Sequence, residues 1–208
     1  MVDMTAEIVL FDGFDELDAI GPYEVLENGA QAGASLETRL VSLGKQTDGP
    51  LEEQTDALVT ASHGLRVESE GTLGEPDLLL VPGGGWTSED DGVRAAVEDS
   101  PLPAAVEERH AAGATVASVC TGAMVLAEAG LLENRLATTH AVARDDLEAA
   151  GADLATARVV DDGDILTAGG VTSGIDLALW LLEREFGADV AEAVATEMEH
   201  ERRGEVVA

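Results

Sequence analysis

Short apolar runs alternate with amphipathic stretches along almost the whole chain. Residues 7–11 (EIVLF) and 36–43 (LETRLVSL) read as strands, and between them Pro22 to Asn28 reads as the start of a helix. Residues 77–85 (DLLLVPGGG) form a continuous apolar run ending in glycines, as a buried parallel strand feeding a loop does. Beyond it the pattern predicts a helix over 102–112, a strand over 115–119, a helix over 122–129, a strand over 135–139 and a helix over 143–150. Residues 158–170 (RVVDDGDILTAGG) read as two short strands around an Asp-Gly turn. Two helices follow, over 175–186 and 189–201, the first strongly apolar. The polar region 45–71 holds short alternating pieces, ALVTA and LRVES, that suggest a small hairpin. Strands alternating with helices predict an α/β fold: a three-layer sandwich with a mainly parallel central sheet and helices on both faces. With 208 residues and no internal repeat, low-complexity segment or linker, a single domain over 1–208 is expected.

Composition narrows the function. Acidic residues number 42 against 11 basic ones, a net charge of −31, and Lys45 is the single lysine. That balance repels nucleic acids and anionic membrane surfaces, and it suits a protein of a high-salt cytosol, where screening removes self-repulsion. Aromatic residues are 3% of the chain, so the core must be aliphatic. The N-terminus, MVDMTAEIVLF, lacks the basic and long apolar regions of a signal peptide, and no apolar run reaches the length of a membrane span. One cysteine cannot form an internal disulfide, which fits a reducing interior; a cytoplasmic location is expected.

In open α/β sheets ligands collect beyond the carboxyl ends of the strands, and three features fall there. Cys120 stands at the seam between a strand and a helix, where a sharp turn projects a side chain and unpaired N–H groups lower a thiol pKa. A cysteine packed as a small hydrophobe is the alternative. In VPGGGW the glycines permit close backbone approach, but no phosphate-binding or dinucleotide-binding pattern is present; beside a cysteine, Gly84 and Gly85 are expected to donate to a developing negative charge. In DELDAIGPYEVLENG, residues 15–29, Asp18 and Glu24 stand out from their acidic neighbours. Glu24, between Tyr23 and Val25, is expected to face inward, where a carboxylic acid beside a thiol holds its proton. His140 follows the strand predicted over 135–139 and either pairs with a nucleophile or caps the next segment. The histidines show no metal-ligand spacing, so no metal is expected.

These stretches together resemble the ThiJ/PfpI superfamily, whose fold is like that of the class I glutamine amidotransferases. The resemblance runs through IVLFDGFDELDAIGPYEVL, LLLVPGGG, VASVCTGAMVLAEAGLLENRLATTH and ILTAGGVTSGIDLAL. It implies Cys120 as nucleophile, Glu24 as the partner acid and Gly84-Gly85 near the thiolate. Within the superfamily the chain looks most like the isonitrile hydratases and the sensor domains of related regulators, which share Leu-Asp-x-x-Gly-Pro and Ser-Val-Cys-Thr-Gly; this adds Asp18 and Thr121 to the site. The protease-type members have histidine after the cysteine, where this chain has Thr121. The regulators carry an added helix-turn-helix domain, for which these 208 residues leave no room. The resemblance implies conversion of an isonitrile to an N-formamide through a thioimidate on Cys120, with no cofactor, in a homodimer. Two other roles fit the same residues: a glyoxalase-like or deglycase enzyme acting on reactive carbonyls, and a redox-sensing or ligand-binding protein without turnover.

Overall fold

A computed structural model describes residues 3–44, 58–87 and 92–208. In chain order its elements are β1 (Met4–Leu10), α1 (Glu16–Gln31), β2 (Leu36–Ser42), β3 (Leu58–Thr60), β4 (Arg66–Glu68), β5 (Leu78–Val81), α2 (Gly92–Asp99), α3 (Leu102–Ala111) and β6 (Thr115–Val119). Then come α4 (Ala123–Glu128), β7 (Leu136–Ala137), α5 (Arg144–Ala149), β8 (Asp153–Leu154), β9 (Val159–Asp161), β10 (Ile165–Ala168), α6 (Ser173–Phe186), α7 (Ala188–Glu197) and β11 (Val206–Val207).

Seven strands form the central sheet in the order β11-β9-β10-β6-β5-β1-β2. The five strands from β10 to β2 are mutually parallel, and β9 joins antiparallel to β10. The period-2 rule sorts each strand between two cores. Ile8, Leu10, Leu78, Leu80, Ala117 and Val119 point to the face covered by α1, α6 and α7. Val9, Leu79, Val81 and Val116 point to the face covered by α2 to α5. Each fully buried Leu or Val contributes about 1.5–3 kcal/mol, so aliphatic side chains suffice without aromatics.

Several elements depart from the sequence pattern. Helix α1 begins at Glu16, six residues before the expected opening at Pro22, because the Asp15 carboxylate caps it by accepting the Leu17 N–H at 3.2 Å. Pro22 lies inside the helix, where its missing N–H leaves the Asp18 carbonyl without its helical donor. The strand expected over 135–139 shrinks to β7, which pairs with β8 outside the main sheet. Thr138 and Thr139 leave the ladder because other partners take their polar groups: the Thr138 N–H donates to Thr167 Oγ1 at 2.8 Å, and the Thr139 hydroxyl donates to the Cys120 carbonyl. Helix α2, whose Val93 and Ala96 are buried, and the two-residue strands β8 and β11 are elements that the sequence pattern does not predict. Of the hairpin region, β3 and β4 form the antiparallel pair expected from ALVTA and LRVES, and residues 45–57 lie outside the described residues.

No helix among the described residues is long and apolar enough to cross a membrane. With 42 acidic side chains against 11 basic ones, most carboxylates have no cation to pair with. Self-repulsion should therefore weaken the fold as the Debye length grows from about 3 Å at 1 M salt to about 30 Å at 0.01 M. The melting temperature is expected to rise steeply with KCl; a flat profile from dilute buffer to molar salt would refute this.

Candidate active site

The chain moves outward from β1 to β2 and then returns to lay β5 and β6 on the other side of β1. That reversal opens a crevice at the carboxyl ends of β1, β5 and β6. Into it run the loop and first turns of α1, the Pro82–Gly85 loop and the turn at Cys120.

Cys120 opens a single 3-10 turn, Cys120–Gly122, that leads into α4. Its φ is +57°, in the left-handed region, which costs a non-glycine residue on the order of 1–3 kcal/mol and persists only where the surroundings hold it. Its N–H donates to the Gly169 carbonyl at 2.9 Å, and its own carbonyl accepts from Thr139 Oγ1 at 2.8 Å. The turn is packed too tightly for a side chain at Gly122, where a Cβ would lie 2.4 Å from the Val81 carbonyl oxygen.

Asp18 reaches the same place from α1. Residues 18, 21, 22, 25, 26 and 29 are all buried, one helical stripe, and Asp18 is its first member with no exposed surface. Gly83 N–H donates to Asp18 Oδ2 at 3.0 Å, while Oδ1 is enclosed with no hydrogen-bond partner among the described residues. A Cβ on Gly83 would lie 2.5 Å from Asp18 Oδ2, 2.7 Å from Cys120 Cβ and 2.9 Å from the Thr121 nitrogen. Acid and cysteine thus both pack directly against Gly83, with no room for even a methyl group there. Burial, and then the neighbouring Asp15 charge, push the Asp18 carboxyl up to about 8. Burial likewise pushes the Cys120 thiol up to about 12, with the Asp18 charge adding to it and the Thr121 N–H opposing it.

These values overturn the expected depressed thiol pKa. The short turn supplies one opposing N–H, and desolvation beside a carboxylate outweighs it. The chemistry that remains is proton exchange within the pair. An ionised Asp18 that takes the thiol proton leaves a thiolate beside a neutral acid, with no change in net charge.

The other expected residues divide. Glu24 is exposed, not inward: six residues after Asp18, it lies 240° around the helix from the buried stripe. Starting α1 at Pro22 hid this phase. Thr121 is buried and clamps the glycine loop, its hydroxyl donating to the Gly84 carbonyl at 2.8 Å and accepting the Gly84 N–H at 3.0 Å. That N–H is therefore committed to Thr121 rather than to a developing charge on substrate. Gly85 packs against the start of α2, where a Cβ on Gly92 would meet its nitrogen at 2.3 Å, and its carbonyl accepts the Arg94 N–H at 3.0 Å. The loop is fastened further by Trp86, whose Nε1–H donates to Asp146 Oδ2 at 2.7 Å and whose ring lies under the Arg94 guanidinium at 4.0 Å. His140 caps the turn after β7, its Nδ1 accepting the Val142 N–H at 3.2 Å, while its backbone N–H approaches the Cys120 carbonyl at 3.4 Å. Gly83 and Thr139 join the site without a sequence signal of their own. Among the described residues no three His, Cys, Asp or Glu side chains converge as a metal centre requires.

Residues 4–184 match the model of the DJ-1/PfpI family. The chain belongs to that family. Among its members, the isonitrile hydratase of Pseudomonas putida is 36% identical over 195 residues, covering 92% of this chain and 76% of that one. A deglycase of Thermococcus kodakarensis is 29% identical over 167 residues, covering 77% of this chain and 87% of that one. The crystal structure of a ThiJ/PfpI family protein from Pseudomonas syringae superposes with a TM-score of 0.81 at 27% identity, covering 98% of this chain and 77% of that one. Family membership agrees with the resemblance carried by the sequence motifs, and the parallel sheet between two helical layers is the fold expected of it.

Proposed function

We propose that the protein is a cytoplasmic, homodimeric isonitrile hydratase in which Cys120 is the nucleophile and Asp18 moves the protons. The observation that carries this is a fully buried carboxyl, its pKa pushed up to about 8, packed against the same glycine as the single cysteine. An isonitrile needs both partners at one atom, since its terminal carbon accepts a nucleophile and then a proton. Asp18 takes the thiol proton as sulfur attacks and returns it to that carbon, leaving a thioimidate, R–N=CH–S–Cys120. Water, deprotonated by Asp18, adds to the same carbon. The nitrogen then takes up a proton, the C–S bond breaks, and R–NH–CHO leaves with the thiol restored. Water is consumed, no redox step occurs, and no cofactor enters. Support comes also from the hydratase relative at 36% identity and from Thr121 in the place where protease-type members have histidine.

The deglycase relative favours a second activity, on reactive carbonyls, with the same pair. The deciding experiment offers purified protein a small isonitrile and methylglyoxal in parallel, before and after alkylation with iodoacetamide. Formamide is expected from the isonitrile, and none after alkylation. Turnover of methylglyoxal alone would overturn the hydratase in favour of the carbonyl enzyme. Turnover of neither, with a readily oxidised thiol, would leave a sensor.

A further inference from the structure

Cys120 adopts a left-handed backbone although it is not glycine, and something outside its own turn must hold it there. The peptide on its N-terminal side is tied to the sheet through the Gly169 carbonyl. The peptide on its C-terminal side is tied by one side chain, Thr139, whose hydroxyl donates to the Cys120 carbonyl at 2.8 Å. Thr139 is wholly buried, and among the described residues this is its hydroxyl's one hydrogen bond. Valine would fill the same space without the expense of burying a hydroxyl, so the oxygen's use here is the bond it makes. The neighbouring His140 N–H, at 3.4 Å from the same carbonyl, is too distant to replace it.

We propose that Thr139 is a positioning residue that locks the strained peptide of Cys120 and so aims its sulfur at Asp18. This rests on Cys120 being the reactive group. Without the hydroxyl, the Cys120 carbonyl loses its strong donor and the turn is free to relax toward negative φ. That rotation swings Cβ, and the sulfur with it, away from Gly83 and the Asp18 carboxyl packed beside it. Thr139 touches no reacting atom; it acts through the backbone of the residue that does.

The test is the pH profile of iodoacetamide labelling at Cys120 in the full chain, for wild type, Thr139→Val and Thr139→Ser, with melting temperatures measured alongside. Thr139→Val is expected to move the profile away from that of wild type toward the ordinary thiol midpoint, about 8.5. Formamide production is expected to fall roughly tenfold in kcat, with KM little changed, as for a catalytic group held slightly out of place. Thr139→Ser, which keeps the hydroxyl, is expected to restore both. A Thr139→Val protein with a lower melting temperature but the wild-type labelling profile would overturn the proposal, since a merely structural threonine behaves that way. Should Thr139→Val fail to fold, a Thr139→Ser profile unlike wild type would overturn it as well. The labelling profile does not depend on which substrate the enzyme takes, so failure of the hydratase assignment and failure of this proposal are distinguishable.

Discussion

Asp18→Asn is expected to remove most of the formamide-forming activity and, at the same time, to stabilise the protein at pH 8 relative to wild type. The first effect follows from the loss of the carboxyl that packs beside Cys120 and carries the proton, a contribution of about 10²–10⁴-fold for a general acid–base group. The second follows from linkage. The Asp18 carboxyl rises from an ordinary 3.8 to about 8 in the folded protein, so between those values the folded state holds a proton that the unfolded chain has released. Stability is therefore highest below pH 4 as far as this group is concerned, and it drains away as pH rises through about 8. At 1.36 kcal/mol per pH unit the full effect is at most roughly 6 kcal/mol. Glu16 and Asp164, each lowered to about 2, act in the opposite sense and at lower pH, losing their stabilisation as pH falls below 4. His63, raised by its Glu16 partner, slopes the same way as Asp18 but is common to both proteins. The difference between the two denaturation curves, measured at pH 5 and pH 8, isolates Asp18. Parallel pH profiles for wild type and Asp18→Asn would show that the carboxyl is not buried beside the thiol.

Gly83→Ala is expected to cripple the site more thoroughly than any change on its surface. The new methyl would stand 2.5 Å from Asp18 Oδ2, 2.7 Å from Cys120 Cβ and 2.9 Å from the Thr121 nitrogen, and two of these three atoms belong to or adjoin the backbone of the constrained turn. No rotamer relieves such a clash, so either the glycine loop or the cysteine turn must move. A stability loss of about 1–3 kcal/mol is expected, as for overpacking elsewhere, with near-complete loss of turnover and an altered rate of thiol alkylation. Gly21→Ala is the matched control. It lies in the interior of α1, its Cβ would find Ile175 and Leu17 at 3.4 and 3.5 Å, and the substitution removes backbone freedom from the unfolded chain. It should be neutral or slightly stabilising and leave turnover intact. Equal effects of the two substitutions on turnover would contradict the packing described here.

The seam position of Cys120 was legible because it depends on local order alone: an apolar strand ending at Val119, then a Thr-Gly pair opening a turn. Asp18 was legible through its motif, and its burial could have been read from the apolar stripe at 21, 22, 25, 26 and 29, had the helix been started at its Asp15 cap. Glu24 was misplaced for the same reason, since an error in where a helix begins shifts which face each residue is assigned to. The thiol's pKa was misjudged because a local view counts the N–H groups of the following turn but not the burial imposed by α1 and the glycine loop.

By itself the sequence determined the alternation of strands and helices, the aliphatic two-sided core, the acidic surface and the cysteine turn. All of these follow from periodicity and composition within a few residues. Only the tertiary structure decided that Gly83, not Gly84 or Gly85, packs directly against both the acid and the cysteine, that Thr121 clamps a loop, and that Thr139 holds the cysteine's peptide. Those contacts join α1, the loop after β5, the turn after β6 and the segment after β7 across 19 to 65 positions of chain. Their geometry is set by how the layers pack, and no local pattern encodes a distance between layers.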